Sequence, residues 1–181
     1  FLIIAYPLVI ALGAKLDPFT FIRKIANVAV FGFSTSSSAA TLPLNIKVCE
    51  EEFGVDESIA SFVLPLGMTI NMDGTAIYQC VATIFLATCC GMTLTLGQMV
   101  TIVVTATLAS IGTAGTPGAG MIMLAMVLEA MNIPVDMIMI IYGVDRLFDM
   151  GRTCLNITGD GAVAIVMDQA EKKYAKRQAA A

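Results

Sequence analysis

Apolar residues run along this chain in long blocks, and the blocks are cut where a membrane-spanning helix would continue. Phe1–Ala14 is apolar and closes at Lys15-Leu16-Asp17-Pro18. Phe19–Phe33 is apolar again and breaks in the polar run 34–38. Ala39–Val48 then leads into Glu50-Glu51-Glu52. A helix needs about 20 apolar residues to cross the bilayer core, and neither of these two pieces has them. Two half-length helices joined by a tip of small polar residues predict a re-entrant hairpin over 18–50, preceded by the end of a transmembrane helix over 1–14. Next comes Ser58–Gly91, interrupted at Asn71-Met72-Asp73-Gly74. Thr95–Ile111 and Met121–Met131 flank a Gly- and Pro-rich tip, Gly112–Gly120, which predicts a second re-entrant hairpin over 95–131. The segment 134–167 predicts an amphipathic last transmembrane helix, broken by polar residues between Asp145 and Asp160, with a tail over 168–181. The order is hairpin, broken helix, hairpin, broken helix, an inverted repeat of architecture. Interrupted hydrophobic segments at matching places in two halves point to a transporter's binding site at the bilayer midplane. The expected fold is therefore an all-α membrane protein, a transport domain with two re-entrant hairpins and two broken helices.

Composition supports a membrane solvent. Of the 181 residues 57% are hydrophobic and 13% charged, about half the charged share of a soluble domain. The 55 residues 74–128 carry no Asp, Glu, Lys or Arg. That leaves too little charge to clothe a soluble surface. The five cysteines show no metal-site or CxxC spacing and read as small apolar residues. A net charge of -4 with few, dispersed basic residues does not fit nucleic-acid binding. Basic residues nevertheless report sidedness. Lys15, Arg23, Lys24 and Lys47 fall on the side of the basic tail (Lys172, Lys173, Lys176, Arg177), whereas 91–98 and 129–136 hold no Lys or Arg. Positive residues mark the cytoplasmic face, so the C-terminus is expected inside a plasma or bacterial inner membrane and the second hairpin to enter from outside. The chain begins within an apolar run, as a piece starting partway through a helix would.

Charges at membrane depth cost about 2.5–3.5 kcal/mol each on insertion scales and are functional by default. Here they are Asp73, Asp145, Asp149, Arg152 and Asp160. The surplus is acidic, and buried carboxylates without enough cationic partners need a cation from solution. Asp145, Asp149, Arg152, Thr153, Asn156 and Asp160 recur at helical spacing and share one face. That face offers a fork for a carboxylate in Arg152, a partner for an ammonium in Asp149, and amide and hydroxyl groups in Asn156 and Thr153. A free acidic amino acid needs that set. The break at Asn71 frees backbone carbonyls for a hard cation such as sodium. The helix starts near Ser38 and Gly118 turn N–H groups towards carboxylates.

At these residues the chain resembles the glutamate/aspartate and neutral amino-acid transporter family, the dicarboxylate/amino acid:cation symporters. The similar pieces are Ser36–Pro43 (SSSAATLP), Asn71–Thr75 (NMDGT), Gly112–Gly120 (GTAGTPGAG) and Asp149–Asp160 (DMGRTCLNITGD), in the family's order and spacing. The resemblance implies symport of glutamate or aspartate with sodium by alternating access. It implies a substrate held by Ser38, Thr75, Thr116, Gly120, Asp149, Arg152, Thr153 and Asn156. Asp149 would meet the amino group, Arg152 the side-chain carboxylate and Asn156 the α-carboxylate. It implies one sodium among Gly67, Asn71, Asn156 and Asp160, and a second among Thr69, Met72, Ser110, Ile111 and Thr113. A third would lie at Asn71 and Asp73, with partners on helices outside this chain. Asp145 would brace Arg152, and a homotrimer would form through scaffold helices also outside this chain. Two positions depart from the pattern. Ser36 stands where some members carry Arg, so Arg152 would act alone on the side chain, and Thr116 stands where an aliphatic residue is expected.

Three other readings compete. A proton-coupled carrier of C4-dicarboxylates from the same family fits less well, because its members tend to read Asn-Leu-Asp-Gly at the break and succinate has no ammonium for Asp149. An intramembrane aspartyl protease needs two carboxylates sharing a proton, but Asp149 and Asp160 lie about 16 Å apart along one helix. A passive channel needs a continuous polar pore, where the hairpin tips read as gates. The chain is expected not to be an enzyme.

Overall fold

The computed structural model describes residues 1–179, and these form helices and turns without a strand among them. The first apolar block is a short helix, α1 (Ala5–Val9), that widens into a π-helical turn over Ile10–Ala14. Lys15 takes left-handed backbone (φ 55°), and the chain turns through 120° into α2 (Pro18–Thr35). Asp17 caps α2 by accepting the Thr20 N–H at 2.8 Å, and Pro18 fills a first-turn position that needs no donor. The same hydrogen bonds from Thr20 hold the Asp17 carboxyl below the usual carboxylate range.

The first tip is tighter than the polar run implied. Ser34 and Thr35 stay helical, the Ser34 hydroxyl donating to the Val30 carbonyl at 2.9 Å. Only Ser36, left-handed at φ 51°, and the cap Ser37 separate α2 from α3 (Ser38–Phe53). α3 carries its Glu residues on the helix and stops at Gly54, φ 68°. Glu is a good helix former and does not end a helix by itself. Next comes α4 (Glu57–Ile70), capped by Asp56. The break after it is Asn71 and Met72 alone; Asp73 and Gly74, expected within the break, open α5 (Asp73–Cys89). An acidic side chain is favourable in a first helical turn. Thr95 and Gln98 form a capping box for α6 (Leu96–Ile111). Gly118, at φ 81°, precedes α7 (Ala119–Ala130), and a 3-10 turn over Val135–Ile138 leads into α8 (Met139–Ala179).

The expectation of a broken last helix is wrong: α8 is continuous past Asp145 and Asp160. Its polar residues line one face without taking a backbone donor, its glycines cost only about 1 kcal/mol each, and it contains no proline to remove a helical bond. The expected tail also continues this helix to residue 179, while 180–181 lie outside the described residues.

Two apolar clusters hold the helices together. One joins α1–α4 to the middle of α8 through residues such as Ile10, Phe21, Val28, Leu64 and Ile157. The other joins α5, α6 and α7 to the start of α8 through Leu86, Ile102, Leu124, Leu128 and Ile141. Outside them the usual order is inverted. Phe19, Phe62, Leu96, Leu108 and Ile122 are exposed, whereas Asp145, Asp149, Arg152, Asp160 and Asp168 are buried. Among the described residues no single helix is long and apolar enough to cross a membrane; the bent pair Ala5–Ala14 and Pro18–Thr35 passes that test together.

At one end Asp168 ties α8 to the turn between α3 and α4. Its carboxylate accepts the Asp56 N–H at 3.1 Å and Lys172 Nζ at 2.7 Å, and Lys172 also reaches the Gly54 carbonyl at 2.9 Å. Asp168 is buried, and a hydrogen bond to a charged group contributes about 1.5–3 kcal/mol. Asp168→Ala is therefore expected to lower unfolding stability by about 2 kcal/mol, and Lys172→Met by less, because Lys172 keeps access to water. Thermal unfolding in detergent checks the order; equal loss from both variants would show that the carboxylate is not the anchor.

Candidate functional site

The polar face of α8 packs against the start of α5 and the two tips, 36–38 and 112–120. Asp145, Asp149, Arg152, Thr153, Asn156 and Asp160 are all buried on it. Arg152 lies at its centre. Its Nη2 donates to Asp149 Oδ1 at 2.8 Å and to Asp145 Oδ1 at 3.3 Å. Its guanidinium lies 4.0 Å from the Tyr78 ring centroid, and the Tyr78 hydroxyl donates to Asp145 at 2.8 Å. Asp145 thus stands where the resemblance implied a brace for Arg152, with Tyr78 as a second support. Arg152 Nη1 is buried without a hydrogen-bond partner among the described residues. A Cβ on Gly120 would stand 2.9 Å from that nitrogen, so glycine is what lets α7 begin against the guanidinium.

The tips meet over this face. The Gly115 carbonyl accepts the Ala39 N–H and the Ser37 hydroxyl, each at 3.0 Å. The Ala39 amide, at the start of α3, therefore serves the opposite tip. Gly118 N–H donates to Asp149 Oδ2 at 3.1 Å, as expected of that helix start. Beneath the tips is a cavity of about 20 Å³, room for roughly one water. All eight residues expected around the substrate line it: Ser38, Thr75, Thr116, Gly120, Asp149, Arg152, Thr153 and Asn156.

Asn156 connects this cavity to a second group. Its Oδ1 accepts the Gly74 N–H at 2.8 Å, and its Nδ2 donates to Met72 Sδ at 3.0 Å and Thr75 Oγ1 at 3.4 Å. Its backbone carbonyl accepts Asn71 Nδ2 at 3.4 Å, and the same Nδ2 donates to Asp160 Oδ1 at 2.8 Å. A Cβ on Gly67 would lie 2.6 Å from that Asp160 oxygen. Gly67, Asn71, Asn156 and Asp160 are thus brought together as expected. Among the described residues no Lys or Arg pairs with Asp160. A carboxylate 3% exposed with one neutral donor is a site fit for a hard cation. Asp73, beside Asn71, accepts the Tyr6 hydroxyl at 3.1 Å. The second expected ion set is less gathered. Met72 and Thr113 line the cavity and Ser110 is buried, but Thr69 and Ile111 are exposed. The hydroxyls of Thr69, Ser110 and Thr113 donate to carbonyls of Leu66, Thr107 and Ala109 in their own segments.

Tyr6, Tyr78, Ser37 and Arg146 were not singled out from the sequence. Arg146 stands off the polar face, yet its Nη1 reaches Asp149 Oδ2 at 3.7 Å from the exposed side. Its i,i+3 spacing to Asp149 was a signal for that contact. Nothing in the sequence links Tyr6 to Asp73, 67 positions away.

An apolar exterior around buried acids, a guanidinium and a break between two helices fits a membrane protein. The chain belongs to the sodium:dicarboxylate symporter family, whose model matches residues 1–170. It is 45% identical over 158 residues to an excitatory amino acid transporter of Caenorhabditis elegans, covering 87% of this chain and 31% of that protein. It is also 45% identical over 158 residues to the neutral amino acid transporter B(0) of Homo sapiens, covering 87% and 29%. To excitatory amino acid transporter 3 of Mus musculus it is 42% identical over 171 residues, covering 94% and 33%. The chain spans about a third of the length of the curated relatives it matches. Symporters are transport proteins and not enzymes, so the protease reading has no support.

Proposed function

We propose that this chain is the substrate- and ion-binding domain of a sodium-coupled symporter for an acidic amino acid, glutamate or aspartate. The observation that carries the reading is Arg152, buried on the cavity with Nη1 unpaired among the described residues and with Asp149 3 residues before it on the same face. The relatives named for excitatory and for neutral amino acids are equally similar at 45%, so identity does not choose between them. A buried guanidinium supports the acidic reading, because its planar fork can take a second carboxylate on the ligand. A zwitterion can replace the Arg152–Asp149 pair, its ammonium taking Asp149 and its side-chain carboxylate taking Arg152. The α-carboxylate then goes to Asn156, with Thr75, Thr153 and the backbone at Ser38, Thr116 and Gly120 around it.

Sodium is proposed at Asp160 with Gly67, Asn71 and Asn156, at Asp73 with Asn71, and at Met72 with Thr69, Ser110, Ile111 and Thr113. A cavity of about 20 Å³ admits no amino acid, so the tips must part, and the Gly112–Gly120 tip is the proposed outer gate. The pairs α2–α3 and α6–α7 are proposed as re-entrant hairpins entering from opposite faces. Lys24 beside Glu52 and Lys172 beside Gly54 put the base of α2–α3 and the end of α8 at one end of the molecule, which is the proposed cytoplasmic end. Assembly as a homotrimer in a plasma membrane is part of the same proposal.

The test is uptake of labelled aspartate, glutamate, alanine and succinate by the whole protein in liposomes, under sodium or proton gradients imposed separately. Sodium-driven uptake of the two acidic amino acids is expected. Uptake of alanine in preference to aspartate, or of succinate under a proton gradient alone, would overturn the substrate or the coupling ion respectively.

A further inference from the structure

Asp73 and Asp160 stand on either side of Asn71, and neither has a cationic partner among the described residues. Neutral donors compensate them: Asn71 Nδ2 for Asp160 at 2.8 Å and the Tyr6 hydroxyl for Asp73 at 3.1 Å. Both donors rest on one point of α8. A Cβ on Gly159 would stand 2.5 Å from Tyr6 Oη and 2.7 Å from Asn71 Nδ2. The bare Cα of Gly159 therefore lets a phenol and an amide lie side by side between two carboxylates. The Tyr6 ring belongs to the apolar cluster of α1–α4 and α8 and meets Phe1 edge-on at 6.0 Å. Phenylalanine would satisfy that packing equally well. What packing does not explain is a hydroxyl 3.1 Å from a carboxylate proposed as a cation ligand.

We propose that Tyr6 is a positioning residue of the ion site, its hydroxyl donating to Asp73 until sodium takes that oxygen, so that Tyr6 sets the sodium concentration at which the site fills. The inference rests on the sodium coupling proposed above. A hydroxyl proton and a cation compete for the same carboxylate lone pairs. Holding Asp73 by a proton donor lowers its free energy before the ion arrives, and the ion must overcome that stabilisation. The device keeps a half-buried carboxylate from binding sodium so tightly that release fails, which a transporter working in both directions requires.

The experiment measures sodium-dependent binding of aspartate to the whole protein in Tyr6→Phe, Asp73→Asn and the double variant. Tyr6→Phe is expected to lower the sodium concentration at half-saturation by about tenfold or more, since tenfold is about 1.4 kcal/mol and a hydrogen bond to a charged group contributes at least about that much. Asp73→Asn is expected to raise it, and in that background Tyr6→Phe should change nothing further. A hydroxyl with a purely structural part would lower thermal stability with and without sodium alike and leave the midpoint in place. That result overturns the inference, as does a raised midpoint in Tyr6→Phe. An unshifted Asp73→Asn midpoint instead removes the cation from Asp73, taking the proposed ion site and this inference together. Where Tyr6→Phe does not fold, the wild-type protein still decides. Infrared difference spectra with ring-deuterated tyrosine should show a phenol C–O band shifting on sodium addition, and no shift overturns the inference.

Discussion

Replacing Arg152 by Thr is expected to weaken binding of aspartate and glutamate by more than a hundredfold and to leave a site that accepts small neutral amino acids. Arg152 is 6% exposed and holds Asp149 and Asp145 at 2.8 and 3.3 Å. Removing one partner from a buried charge pair costs about 3–5 kcal/mol, and every 1.4 kcal/mol is tenfold in affinity. Part of that cost falls on the fold, since two carboxylates lose their strongest partner and keep only the Tyr78 hydroxyl, the Gly118 N–H and the solvent-exposed Arg146. The variant therefore needs a companion that keeps the charge. Arg152→Lys retains a cation for Asp149 but not the planar fork or the stacking on Tyr78 at 4.0 Å. It should fold at near wild-type stability and still lose most acidic-substrate affinity. Calorimetric titration with aspartate and alanine, beside thermal unfolding, separates the two costs. Wild-type aspartate affinity in the Arg152→Thr protein would remove Arg152 from the substrate.

What the sequence made legible follows from how local the cause is. The polar face of α8 could be found because helical spacing alone puts Asp145, Asp149, Arg152 and Asn156 together, and one helix positions them all. Polarity within a helix does not by itself mark a break. Asp145 and Asp160 interrupt the hydrophobicity of α8 but not its backbone bonds, so the helix continues. At Asn71 the backbone itself departs, with φ -93° and ψ 71°, and its cause is tertiary. The Asn156 side chain takes the Gly74 N–H and Asp160 takes the Asn71 amide, and both lie on α8 more than 80 positions away. Tyr6 and Tyr78 were hidden for the same reason, since each meets its carboxylate 67 positions along the chain. The Ser37 latch on Gly115 spans 78 positions. Long-range polar contacts leave no period to read.

Asp160→Asn is expected to raise the sodium requirement of substrate binding at least tenfold while leaving the protein as stable as wild type, or more so, in sodium-free buffer. The two halves of that expectation have one cause. Asp160 is 3% exposed, and its only side-chain hydrogen bond among the described residues comes from Asn71 at 2.8 Å. A buried carboxylate without a cation destabilises the fold that holds it. The amide has the same shape and no charge, so it removes that cost along with the attraction for sodium. In wild type, sodium binding to the folded protein alone at the proposed site would raise its stability by mass action; in the variant this sodium-dependent gain should shrink. Substrate affinity should fall at fixed sodium and recover in part as sodium rises, because coupling between two sites is reciprocal. The path of that coupling is short. Asn156 gives its carbonyl to the Asn71 amide that holds Asp160, and turns its side chain to Gly74 and to Met72 and Thr75, which line the cavity beneath the tips. Sodium that draws Asn71 and Asp160 together fixes the same Asn156 that the α-carboxylate is proposed to meet. Thermal unfolding across a sodium series, paired with aspartate titrations at each concentration, measures both halves. A variant that is less stable without sodium yet keeps the wild-type sodium dependence would make Asp160 a structural carboxylate and remove the first ion site.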